Sequence, residues 1–268
     1  MNEAQSRLLQ LAQRSPACVA AQDREGWLAL FTRDGVVEDP VGAAPNQRAA
    51  LGAFYDTFIA GNEIRFEVAE DLVGAREVVR DVVIHTRLST GLELQVPAYL
   101  IYEVAGEDGA PRIRRLRAVW DLRRRSIGAL TAGPRGLVTL GVISARMLKN
   151  QGLAATLGYS RALTRGIFGR GEQLLGRLAD ALGRGDREAA SLFTEDAVVD
   201  PPAGAGQPAR AWCERGEALA FEVSRVISAG WTTAFRFSLL DQPGGGVAFL
   251  EFAPGTQKIA ALRFFARG

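Results

Sequence analysis

The chain has 268 residues, 47% of them hydrophobic and 23% charged, with a net charge of +2. This length and balance predict two globular domains and exclude a disordered or fibrous chain. The two cysteines, Cys18 and Cys213, form no metal or disulfide pattern, and with His85 as the sole histidine a His-rich metal site is excluded.

The first predicted element is a helix over residues 3–21, with Pro16 expected to kink or break it. Asp23 predicts the cap of a short second helix through Phe31. Val36 and Val37 begin a strand that Pro40 ends. Leu51, Phe54, Tyr55 and Phe58 recur at three- and four-residue spacing, which predicts a helix over 47–60. Strands follow at 63–72, 77–88, 92–104 and 112–122, separated by glycine-containing turns. Helices followed by a meander of long strands mark an α+β domain.

Charge then divides the chain. Residues 1–121 are net −5 and residues 172–268 net −2, whereas 122–171 carries nine Arg or Lys and no Asp or Glu. After it, helices are predicted over 172–184 and 186–193, and strands over 218–228, 231–240, 246–253 and 257–266. This is the first domain again, in shorter form. The sequence repeats too. Val-Val-Glu-Asp-Pro-Val-Gly at 36–42 returns as Val-Val-Asp-Pro-Pro-Ala-Gly at 198–204, each after a run-up beginning Asp-Arg-Glu. Asp39 of the first copy aligns with Pro201, and Asp200 falls one place earlier.

The words Leu-Ala-Leu-Phe, Val-Glu-Asp-Pro-Val-Gly, Phe54-Tyr55, Val96-Pro97-Ala98 and Arg117-Ala118-Val119-Trp120 carry a resemblance. Over about residues 8–122 the chain resembles bacterial ketosteroid isomerase (steroid Δ5-isomerase), of the SnoaL-like, NTF2-like superfamily. The resemblance implies two cone-shaped domains in tandem, each with helices packed on a curved antiparallel sheet. Their expected bounds are 1–122 and 172–268, with 123–171 as a basic helical linker. It also implies a proton shuttle with no cofactor and no metal. The base falls on Asp39, and the supporting helix tyrosine on Tyr55. The strand donor falls on Tyr99, a tyrosine where the family has an acid. Phe54, Phe58 and Trp120 take positions lining the substrate cavity. The donor tyrosine of the first helix falls on Ser15, a departure that puts full activity in doubt.

Other readings of the same residues stay open. Asp39 before a proline also suits a turn cap, Tyr99 and Trp120 also suit a core, and His85 reads as structural. The expected function is isomerisation of a 3-oxo steroid or similar apolar ketone, with a non-catalytic carrier of an apolar ligand as the alternative. No secretory signal is evident at the start and the cysteines form no framework, so a cytoplasmic protein is expected. Residues 123–171 suit either peripheral contact with an anionic membrane or packing on the acidic domains. Nucleic acid is not an expected partner, because no aromatic platform accompanies the charges.

The second copy lacks the base and the Phe-Tyr pair, so it is expected to be silent and to act as a built-in partner in a pseudo-dimer. Deleting residues 172–268 should then give a fragment that aggregates or self-dimerises. Light scattering of that fragment checks it, and a monomeric, fully active fragment contradicts it.

Overall fold

The computed structural model describes residues 1–131, 133–203 and 205–267, the side chains of 127–131 excepted. Gly204, the last residue of the second repeated word, lies outside them. Asn2 opens the first element. Its side chain accepts from the Gln5 amide, and the Gln5 side chain accepts from the Asn2 amide. From this cap, helix α1 runs Glu3–Ala20, burying Leu8, Leu11, Ala12, Ser15 and Val19 on one face.

The break expected at Pro16 does not occur: α1 continues through it. The reason is local chemistry. Proline has no N–H to give the carbonyl four residues earlier, which is that of Ala12. The Arg80 guanidinium donates to that oxygen at 3.4 Å instead. Arg80 is buried and forks onto Asp71, with Nε to Oδ1 at 2.7 Å and Nη2 to Oδ2 at 3.3 Å. The same guanidinium bonds the Tyr102 hydroxyl, which also bonds Ser15.

Asp23 caps helix α2 (Arg24–Ala29), accepting from the Gly26 amide. Strand β1 (Phe31–Glu38), the short β2 (Asn46–Gln47), a 3₁₀ turn at Arg48–Ala50 and helix α3 (Leu51–Phe58) follow. Four long strands come next: β3 (Glu63–Val73), β4 (Glu77–Arg87), β5 (Glu93–Glu107) and β6 (Ala110–Val119). The sheet order is β2-β1-β6-β5-β4-β3. The pairs are antiparallel except β1 with β6, which is parallel, so the sheet is mixed and not purely antiparallel as expected. Ala98, Leu100, Tyr102 and Val104 of β5, with Val78 and Val82 of β4, meet α1, α2 and α3 in one core. Alternation along a strand places Tyr99 and Ile101 on the other face.

Helices α4 (Leu122–Thr131) and α5 (Pro134–Thr164) come after β6. The chain divides into two compact units, Met1–Thr164 and Arg165–Gly268, so both helices belong to the first. Within α5, Gly152 leaves helical geometry at φ 80, ψ 175 and separates two straight stretches.

The second unit contains α6 (Gly169–Gly183), a 3₁₀ turn at Arg187–Leu192 where a helix was expected, β7 (Phe193–Asp200), β8 (Gln207–Pro208) and α7 (Ala209–Glu214). It closes with β9 (Phe221–Ala229), β10 (Thr232–Leu239), β11 (Gly245–Phe252) and β12 (Ile259–Ala266). Its sheet order, β8-β7-β12-β11-β10-β9, is that of the first unit strand for strand, including one parallel pair, β7 with β12. The tandem read from the repeated words is therefore two mixed six-stranded sheets, each with its own helices and core.

Removing one member of a buried ion pair typically costs about 3–5 kcal/mol, because the other charge is left without compensation. Arg80→Ala should lose about that much in urea unfolding, since it strands Asp71, the Ala12 carbonyl and Tyr102 together. A loss below about 1 kcal/mol contradicts this account.

Candidate functional site

Asp39 is the residue after β1, and the Asp39–Pro40 bond is cis. Beyond it the Val41 amide donates to the Ala118 carbonyl of β6, fixing the loop against the sheet. Trp120, one residue past β6, donates its indole N–H to Asp39 Oδ1 at 2.5 Å. The carboxyl of Asp39 is nonetheless pushed up to about 6 from an ordinary 3.8. Loss of water around the charged form is the larger effect, and the Trp120 hydrogen bond opposes it.

Tyr159 of α5 is the second polar group here. Its hydroxyl pKa is raised, first by burial and then by the charge of Asp39, so it stays protonated. Its ring stacks on Phe58 of α3, with centroids 5.3 Å apart and planes 24° apart. Phe58 contacts Phe54 at 5.2 Å, and Phe54 stacks on Trp27 at 6.1 Å. A continuous aromatic run therefore extends from Trp27 in the core to the phenol beside Asp39.

The backbone holds α5 in this position. The Ala44 amide donates to the Gly158 carbonyl at 3.2 Å. A Cβ at Gly158 would come within 2.6 Å of the Ala44 Cβ, so only glycine allows this approach. Farther along, Asn150 donates to Thr57 Oγ1 at 3.3 Å, Arg146 donates to Ser89 Oγ at 3.0 Å, and the hydroxyls of Thr139 and Thr90 share a bond of 2.7 Å.

Thus Asp39, Trp120, Phe54 and Phe58 belong to one neighbourhood, linked through Tyr159. Tyr55 and Tyr99 do not join it. The Tyr55 ring packs on Trp27 at 5.5 Å, and its hydroxyl pKa is raised, first by burial and then by the charges of Asp23 and Cys18, with Arg24 opposing. That hydroxyl is buried with no hydrogen-bond partner among the described residues. Tyr99 is fully buried, but lies across from Asp81 of β4 and Val119 of β6 on the face away from the helices. Tyr99, expected as the strand donor, thus lies on the sheet face opposite Tyr102. The tyrosine of β5 that faces the helices is Tyr102.

Ser15 is no empty replacement. Its hydroxyl accepts from the Trp27 indole at 3.2 Å and bonds Tyr102, whose own pKa is raised chiefly by burial. Tyr159 and Tyr102 are the groups sequence reasoning did not assign. Tyr159 carried a faint signal, since it falls on the helix face opposite Arg161 and Arg165.

In the second unit the equivalent loop carries other chemistry. Asp200 pairs with Arg263 at 3.1 Å, and Pro201 occupies the place of Asp39. Among the described residues no cluster of His, Cys, Asp and Glu is arranged to hold a metal ion.

Residues 12–116 match the SnoaL-like domain family. No curated protein matches the chain. Among solved structures it is similar to RV0760c of Mycobacterium tuberculosis in complex with estradiol-17beta-hemisuccinate, at 33% identity over 43% of this chain and 95% of that one, with a TM-score of 0.40. It is similar to the Delta 5-3-ketosteroid isomerase of a Mycobacterium species at 33% identity, over 43% and 94% of the two chains, with a TM-score of 0.40. A computationally designed 17-OHP binder is 30% identical over 43% and 94%, with a TM-score of 0.40.

The raised carboxyl has a signed consequence. The folded chain holds the Asp39 proton more tightly than the unfolded chain does. The contribution of Asp39 to stability is therefore fullest below about pH 4 and is lost as pH rises through 6. Asp39→Asn, neutral and of the same shape, should remove about 2–3 kcal/mol of that loss in urea titrations at a series of pH values. Trp120→Phe should move the Asp39 titration above 6 by carboxyl NMR, and an unmoved titration contradicts the indole's role.

Proposed function

Because the chain belongs to the SnoaL-like, NTF2-like family through residues 12–116, we propose that its first unit takes a flat apolar ketone, such as a 3-oxo steroid, and shifts a carbon–carbon double bond within it. The observation that carries this reading is a carboxyl titrating near 6, set among aromatic rings and beside a protonated phenol. At neutral pH most of Asp39 is ionised, yet it is a stronger base than an ordinary aspartate.

In the reaction, the Asp39 carboxylate removes a proton from the carbon beside the ketone. The electron pair released from that C–H bond flows into the conjugated system, and negative charge develops on the ketone oxygen. The same carboxyl then returns the proton farther along the chain of double bonds. Nothing is oxidised or reduced, and the proton balance closes within the substrate.

Stabilising that oxygen requires a donor held in place where water is scarce. Tyr159 fills this role in place of the phenol missing at position 15. Its raised pKa keeps the proton on the hydroxyl, and stacking on Phe58 fixes its ring. Phe54, Phe58 and Trp120 supply apolar surface for the substrate. Trp120 also anchors the Asp39 carboxylate, so its N–H is a positioning contact.

A second reading, a non-catalytic binder of the same ligand class, is favoured by one observation. The Asp39 carboxylate already accepts from Trp120 and has Tyr159 beside it, which suits a closed cover more than an open reaction site.

Conjugated-enone absorbance after mixing with an unconjugated 3-oxo-Δ5-steroid separates the two. Turnover should be present and should drop by about 10²–10⁴-fold in Asp39→Asn, with steroid affinity kept. Tyr159→Phe should lower kcat by about 10- to 1000-fold at nearly unchanged melting temperature. Steroid-dependent stabilisation without turnover in the unmodified protein selects the binder. Neither turnover nor stabilisation sinks both readings.

A further inference from the structure

Helix α5 exposes more apolar surface than packing on its own domain accounts for. Its buried positions are Gly136, Thr139, Met147, Gly158 and Ala162. Thr139, Arg146 and Asn150 hold this inward side through polar bonds to Thr90, Ser89 and Thr57. Leu140, Val142, Ile143 and Leu163 are half-buried, but five other aliphatic side chains stand out from the surface. Leu137, Val138, Leu148, Leu153 and Leu157 are each between 53% and 63% exposed. Leu137, Gly141, Ala145 and Leu148 fall on one line before Gly152, and Leu153, Leu157 and Arg161 fall on one line after it, all of them exposed. A surface helix normally directs its apolar stripe to the core. A second, exposed apolar stripe of this length marks an interaction surface.

Charge identifies the cover. Arg135, Lys149 and Arg161 are exposed on the same helix, and Arg123 and Arg124 are exposed on α4. No acidic residue occurs anywhere in 122–171. A protein partner binding an apolar stripe flanked only by cations would need a matching acidic rim, whereas an anionic lipid surface supplies apolar interior and negative headgroups together. Among the described residues, no helix is long and apolar enough to cross a bilayer, so the contact is parallel to the surface. We propose that the outer face of α5 docks onto an anionic bilayer surface, with Leu148, Leu153 and Leu157 entering the headgroup boundary and Arg135, Lys149 and Arg161 meeting the headgroups. This rests on the exposed face alone and does not depend on the chemistry assigned to Asp39. The inner face of the same helix carries Tyr159, so docking would bring the cover of the site against the lipid from which an apolar ligand partitions.

The test is flotation of the full chain with vesicles of phosphatidylcholine alone or mixed equally with phosphatidylglycerol, at low and high salt. The protein should float with the mixed vesicles at low salt, at least about tenfold more than with phosphatidylcholine. High salt should reduce this without removing it. The triple change Leu148→Ser, Leu153→Ser, Leu157→Ser should lower flotation at least about tenfold while circular dichroism shows an unchanged fold, and Lys149→Glu with Arg161→Glu should abolish the preference for phosphatidylglycerol. Failure of the unmodified chain to float overturns the proposal, as does flotation of the triple variant at the unmodified level. A dimer that the triple change dissociates, with no vesicle binding, assigns the face to a second copy of the chain and also overturns it.

Discussion

The Arg80 guanidinium is the point through which the first unit holds together. It is a buried charge, tolerable only because its donors are used: Asp71 neutralises it, Tyr102 receives one bond, and the Ala12 carbonyl receives another. The last contact ties α1 to the sheet at the place where Pro16 leaves a gap in the helix ladder. Ser15, next along the helix, is thereby placed to take the Trp27 indole. From Trp27 the ring contacts pass through Phe54 and Phe58 to Tyr159, and so to Asp39.

The two units show how little of a fold decides its chemistry. Strand order and the parallel pair are the same in both. The difference lies at the ends of β1 and β7. In the first unit Glu38 faces Arg117 across the ladder and Asp39 is left to the helix side. In the second, Asp200 stands opposite Arg263 and pairs with it, and proline takes the next place. The acid that ends the strand is therefore ion-paired in both units, Glu38 with Arg115 and Arg117 and Asp200 with Arg263; what the second unit lacks is the next carboxyl, the one that loses its water in the first.

Much of this was legible in the sequence. Alternation of apolar residues located β3 to β6 and β9 to β12 to within a few positions, but β1 was read as starting only at Val36 and β7 was not read at all; the repeated word located both copies. The Glu-Asp-Pro-Val-Gly word singled out Asp39. Strand alternation, however, distinguishes two faces without saying which one receives the helices. On β5 both faces are apolar, so Tyr99 and Tyr102 were equally plausible from pattern alone. The continuity of α1 through Pro16 was hidden because the compensating donor, Arg80, is 64 positions away in the chain. Tyr159 escaped for a similar reason: its place beside Asp39 depends on a helix that packs through glycines and small polar residues, which carry no hydrophobic signal.

Gly152 places a narrow restriction on how this chain can vary. Its backbone, at φ 80 and ψ 175, lies in a region that residues with side chains essentially do not enter. Space is not the issue, since an added Cβ would meet nothing within 4 Å. Any substitution there would press the two stretches of α5 towards one straight rod, and the stretch after it could no longer lie with Gly158 on Ala44 and Tyr159 on Phe58. A half-exposed residue whose missing side chain would meet only open space, and which looks free to drift, is thus held to glycine by its backbone angles alone.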